Sequence, residues 1–81
     1  MSATITVLYF ASLREAAGIA SEQVHSDAAD LRGVYAELDA RHGLRWTPAQ
    51  LRVAVDGAFA RWDDPLRDGS EVVFIPPVSG G

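Results

Sequence analysis

Apolar and polar positions alternate with a period of two over Thr4 to Phe10 (TITVLYF), with Ile5, Val7 and Tyr9 on one face and Thr4, Thr6, Leu8 and Phe10 on the other. The segment is dense in β-branched and aromatic types on both faces, which predicts a central strand. Ser12 and Glu15 have the S-x-x-E spacing of a capping box and Gly18 stands where a helix stops, so LREAA predicts a helix of little more than one turn. Ser21 to His25 follows as a second strand paired with the first. Leu31, Val34, Tyr35 and Leu38 recur at helical spacing behind Asp27 as N-cap and Asp30 at N3, and His42-Gly43 ends that main helix. Leu44 to Gln50 carries no clean period and is assigned to a loop. Leu51 to Val55, the turn dipeptide Asp56-Gly57 and a return arm over Ala58 to Trp62 predict a hairpin. Asp64-Pro65 and Asp68-Gly69 are further turns, Glu71 to Ile75 (EVVFI) is the last strand, and Pro76-Pro77 ends it.

This order predicts an α+β domain: a mixed sheet of four to five strands, its first and last strands adjacent at the centre, with one amphipathic helix packed across one face. At 81 residues the chain has room for one domain. A chain of this mass buries only about 62% of its unfolded surface, a thin core that favours a carrier, subunit or binding module over a free-standing enzyme.

Composition narrows the chemistry. Without cysteine there is no disulfide scaffold, zinc knuckle or side-chain persulfide. All seven basic residues are arginine, so only the N-terminus offers an amine for an isopeptide or Schiff base. A net charge of −4 and a pI of 4.8 have the wrong sign for nucleic-acid binding and suit a basic protein partner. No apolar run is long enough for a membrane span and the start lacks a basic region ahead of its apolar stretch, which places the chain in the cytoplasm. His25 and His42 lack ligand spacing, so no metal site is expected. Asp63-Asp64 and Asp68 fit turns before they fit a cation, and Trp46 and Trp62 are assigned to the core or a lid over it.

The chain ends Pro76-Pro77-Val78-Ser79-Gly80-Gly81. Two terminal glycines arise by chance in roughly 0.5% of chains, given an average glycine frequency of about 7%. A frayed tail competes with a sharper reading. Six residues reach at most about 20 Å, and two residues without a Cβ pass through a narrow channel into another protein. The Gly81 carboxylate would then be the reactive group, an acyl donor once activated. The two prolines favour an extended exit with less entropy to lose on docking.

The segments LYFASLREAAG (Leu8 to Gly18), AVDG (Ala54 to Gly57) and DPLRDGSEVVFIPPVSGG (Asp64 to Gly81) resemble the MoaD-like small subunits of molybdopterin synthase, ubiquitin-fold sulfur carriers. Asp56 stands where asparagine is common in that family, and Ile75 where an aromatic is common. The resemblance implies a β-grasp (ubiquitin-like) domain over residues 1–77 and a flexible tail over 78–81, comprising Val78, Ser79, Gly80 and Gly81. It implies that Gly81 is adenylated by a MoeB-like enzyme of the ubiquitin-activating type, with ATP. A sulfur donor then converts it to a thiocarboxylate, which delivers sulfur to cyclic pyranopterin monophosphate inside a MoaE-like large subunit. The chain would hold no tightly bound cofactor and would be a carrier subunit, with the catalytic side chains on the partner. Matched positions put Phe10, Arg14, Phe59 and Ile75 on the partner-facing surface, where core packing is the competing reading for the three apolar residues and plain solvation for Arg14. Alternatives are a carrier for thiazole or cysteine biosynthesis, a ubiquitin-like modifier, or an interaction module with an incidental Gly-Gly. Thiazole-pathway carriers are shorter and lack Pro-Pro-Val, which counts against the first.

Overall fold

The computed structural model describes residues 2–77. Five strands form one sheet in the order β2-β1-β5-β3-β4: β1 (Ala3–Tyr9), β2 (Ser21–Ser26), β3 (Arg52–Val55), β4 (Ala58–Ala60) and β5 (Glu71–Ile75). β1 and β5 run parallel, and every other neighbouring pair is antiparallel. The first and last strands are adjacent and β5 is central, as the alternation of TITVLYF and the apolar run EVVFI predict.

Helix α2 (Leu31–His42) crosses one face of the sheet. Its stripe of Leu31, Val34, Tyr35 and Leu38 is buried against Ile5, Val7 and Tyr9 of β1, Val72 and Phe74 of β5 and Val53 of β3. Leu13 of the short helix α1 (Ala11–Ala17), Val24, Leu44 and Leu51 complete the core. Trp62 stacks on Phe74 at 5.7 Å and meets Tyr35 edge-on at 5.6 Å, so the strap after β4 closes the core with an aromatic cluster. The Tyr35 hydroxyl donates to the Trp46 carbonyl, and burial, then the nearby Asp39 charge, push its pKa up to about 12 against that bond.

The hairpin turn has both central residues at positive φ, Asp56 at 51° and Gly57 at 86°, the conformation that the Asp-Gly dipeptide predicts. Several boundaries differ from expectation. The Ser12/Glu15 capping box does not form: α1 begins at Ala11 with Phe10 as N-cap, and Ser12, already inside the first turn, accepts a hydrogen bond from Trp46 Nε1 at 3.0 Å. The helix is seven residues rather than the five of LREAA, closed as expected by Gly18. Asp30, not Asp27, caps α2, its carboxylate accepting from the Gly33 amide at 2.8 Å. The Ser26 hydroxyl accepts from the Ala28 amide at 3.0 Å, and the helix begins only at Leu31. Within the loop over Leu44 to Gln50, Leu44 is buried and Pro48–Gln50 form a 3-10 turn.

One polar cluster ties β2 to the end of α2. Glu22 accepts from the Tyr9 hydroxyl at 2.5 Å and from His42 Nε2 at 2.7 Å, and Arg41 lies 3.5 Å from its other oxygen. His42 is thus a side chain in use, beyond its place at the helix terminus. Burial works to raise the Glu22 pKa, but the hydrogen bonds from Tyr9 and His42 and the charges of His42 and Arg41 outweigh it, and the carboxyl is held below its ordinary value. Burial, and then the same carboxylate, push the Tyr9 hydroxyl far up.

A carboxylate with a depressed folded pKa stabilises the fold above its unfolded pKa and loses that contribution as pH falls through the folded one. Glu22→Gln should therefore cost about 1–3 kcal/mol at neutral pH, the size of hydrogen bonds to a charged group. The gap to the unsubstituted chain should close as pH drops below the ordinary glutamate value of 4.5. Urea denaturation of both proteins from neutral to acidic pH checks this; a gap that does not change with pH would refute it. Phe74→Ala removes the ring that Tyr35 and Trp62 share and should cost about 3–5 kcal/mol in the same assay.

Candidate partner face and tail exit

The helices cover one face of the sheet, so the other face is where the remaining side chains of the strands lie. Register places Leu8, Val73, Ala54 and Phe59 in one row across β1, β5, β3 and β4. The next row towards the chain terminus pairs Ile75 with Arg52, and continuing the β1–β5 register puts Phe10 level with Ile75. Below these rows the face turns polar, with Thr6 beside Glu71, and the Thr4 hydroxyl 2.8 Å from His25 Nδ1. The outer face is therefore apolar in one half and polar in the other. β5 runs towards the apolar half and leaves the sheet there through Pro76 and Pro77.

Sequence candidates sort clearly on this geometry. Phe10 is 51% exposed and Phe59 70% exposed, so neither is spent on the core. Ile75 is half-buried at the end of β5. Phe59 and Ile75 are linked by Arg52, which faces Ile75 across the ladder and sets its guanidinium carbon 5.6 Å from the centre of the Phe59 ring. Arg14 is exposed on α1, with its amide bonded to the Phe10 carbonyl at 3.4 Å, so it stands one helical turn beyond Phe10 rather than on the sheet face. Gly81, Gly80, Ser79 and Val78 lie outside the described residues.

Four residues of this face, Leu8, Ala54, Val73 and Arg52, are absent from the sequence-derived candidates. The signal for three of them is present in the chain: a strand apolar on both faces needs cover on both, and one amphipathic helix can cover only one. Arg52 had no such signal, because its relation to Phe59 arises from pairing across the hairpin.

The rest of the described surface offers little chemistry of its own. A groove of about 620 Å³ runs between α1 and the Leu44–Trp46 segment, and its His42 is already bonded to Glu22. Among the described residues no group of three or more His, Asp or Glu is placed to hold a metal ion. Asp64 closes a turn by accepting from the Arg61 amide, and Asp68 ties its turn to β1 by accepting from the Thr4 amide at 2.7 Å. No helix among the described residues is long and apolar enough to cross a membrane.

Comparison with known proteins agrees with the fold. The Escherichia coli protein described as molybdopterin synthase sulfur carrier subunit is 37% identical over 95% of this chain and 99% of its own length. The crystal structure of SAMP1 from Haloferax volcanii superposes with a TM-score of 0.81 at 25% identity, covering 96% of this chain and 99% of that one, which places the sheet and helices among ubiquitin-like β-grasp domains. A structure of the complex of subunits 1 and 2 of the molybdopterin-converting factor from Helicobacter pylori matches with a TM-score of 0.63 at 26% identity, over 96% of this chain and 99% of the matched one. The ThiS family model matches residues 7–81, from the first strand through the terminal glycines, and with that span and these relatives the chain belongs to the ThiS family of sulfur carriers.

Proposed function

We propose that this chain is the sulfur carrier subunit of molybdopterin synthase. The observation that carries the reading is the position of β5: the central strand leads into Pro76 and Pro77 beside an uncovered apolar half-face. A partner that seats on Leu8, Val73, Phe59 and Ile75 receives the tail in a fixed direction. Residues 1–77 are then the docking body and 78–81 the working segment.

The chemistry proposed for Gly81 balances in three steps. Its carboxylate attacks ATP on a MoeB-like activating enzyme, forming the acyl-adenylate and releasing pyrophosphate. Hydrosulfide from a sulfur donor attacks the acyl carbon, AMP leaves, and the thiocarboxylate forms. Inside a MoaE-like large subunit the thiocarboxylate sulfur bonds to a carbon of cyclic pyranopterin monophosphate and displaces an oxygen substituent there, and water then cleaves the acyl–sulfur bond and returns Gly81 to carboxylate. The absence of cysteine and lysine from the chain fits this division, since neither a thiolate nor a cationic amine is available in its own side chains. A net charge of −4 favours approach to a more basic partner. Likeness to a small archaeal modifier protein favours a second reading, in which activated Gly81 is conjugated to amines of other proteins.

Intact-mass measurement after incubation with ATP, a MoeB-like activating enzyme and a sulfide source tests the first reading. The expected product is heavier by the difference between sulfur and oxygen, mapped to Gly81, and absent after deletion of Gly81. Adducts on lysines of added proteins would select the second reading, and an unchanged mass beside a working control carrier would sink both. Phe59→Asp separates docking from folding. With its ring largely in solvent, the substitution should shift stability by no more than about 0.5 kcal/mol yet abolish binding to the large subunit, as read by thermal melting and titration calorimetry.

A further inference from the structure

Arg52 stands in the apolar half of the outer face, at the point where β5 leaves the sheet, and continuing the β3–β4 register puts Arg61 level with it. Its guanidinium lies against the Phe59 ring, and the ion pairs among the described residues involve only Glu22 with Arg41 and His42. No hydrogen bond from its side chain is made within the described residues either. The ring thus holds the planar fork in place on one side while its N–H donors face solvent.

A partner that covers Phe59 and Ile75 must also cover Arg52, which lies between them. Removing water from an unpaired guanidinium is costly, so a stable complex has to return acceptors to it. The group that matches the fork best, with two parallel charge-assisted hydrogen bonds, is a carboxylate. A second copy of this chain does not supply one: the apolar half contains no acidic residue, and a two-fold contact centred there would bring Arg52 towards its own counterpart. The local sign is also opposite to that of the whole chain, whose net charge is −4. Long-range attraction therefore selects basic partners in general, whereas Arg52 penalises any basic surface that lacks a carboxylate at this point.

We propose that Arg52 is the specificity-determining contact of this face, and that the cognate partner presents an Asp or Glu side chain to its guanidinium while apolar partner surface covers Phe59 and Ile75. The identity of the partner used to test this rests on the carrier reading above.

The test is calorimetric titration of the full chain with the large subunit of molybdopterin synthase, at low and at high salt, for Arg52→Leu, Arg52→Glu and Phe59→Asp. Arg52 is exposed, and circular dichroism is expected to show all variants folded. Arg52→Leu should weaken binding about tenfold at low salt and flatten the salt dependence, and Arg52→Glu should weaken it about a hundredfold. Reversal of the responsible Asp or Glu on the large subunit to Arg should restore binding to Arg52→Glu and not to Arg52→Leu. Binding of both Arg52 variants within about threefold of the unsubstituted chain, with Phe59→Asp inactive, would overturn the inference and leave the carrier reading standing. Equal losses for Leu and Glu with unchanged salt dependence would also overturn it, because a neutral acceptor would then be the partner group. If Phe59→Asp bound normally as well, the face would not be the docking surface and both readings would fall.

Discussion

Strand β5 is made from the last regular segment of the chain, yet it lies in the middle of the sheet, hydrogen-bonded to β1 on one side and β3 on the other. Three consequences follow from that single placement. The two ends of the chain must meet before the sheet is complete, so most of the sheet's stability depends on contacts distant in sequence. Beyond Glu71 both faces of β5 are apolar, Val72 and Phe74 in the core and Val73 and Ile75 on the opposite face. Pro76 and Pro77 follow β5 from the centre of the sheet, where two ladders hold the strand that precedes them, instead of from a fraying edge.

The same constraint explains how the two faces divide their work. α2 and the Trp62 strap cover one face and use Val72 and Phe74 as their floor. Val73 and Ile75, which alternate with them, face the other way and meet no helix. Thr4, Thr6 and Glu71 make that uncovered face compatible with water at the start of β5 but not at its end. The polarity of the face thus points along the strand, towards the position where the tail emerges.

Much of this was legible in the sequence, and the exceptions have physical reasons. Alternation in TITVLYF, the stripe Leu31-Val34-Tyr35-Leu38 and the Asp56-Gly57 turn each report a local rule that the fold obeys without conflict. The failed capping assignments show where a local rule met competition. Ser12 matches the box in spacing, but its hydroxyl is engaged by Trp46 Nε1, thirty-four residues away, and the helix begins earlier than the box requires. Asp27 is displaced as a cap because Ser26 captures the Ala28 amide and Asp30 captures Gly33. Arg52 against Phe59 was not legible at all, since neither residue carries a motif and only the hairpin register makes them neighbours. The glycine tail was the reverse case, conspicuous in sequence and placed by the fold only through the strand that precedes it.

The polar groups of the interior also bear on what kind of protein this is. Among the described residues every buried side-chain nitrogen or oxygen has a hydrogen-bond partner. Tyr9, Glu22 and His42, which in another setting would suggest acid–base chemistry, satisfy one another and lock β2 to α2. A catalytic site commonly retains a reactive group whose environment leaves it poised for a change of charge, and this interior spends its ionisable groups on cohesion instead. What the fold leaves unsatisfied is the apolar half-face around the exit of β5, with an arginine held at its rim. An apolar surface of that composition, with an arginine among its residues, has the make-up of a surface that a second protein covers.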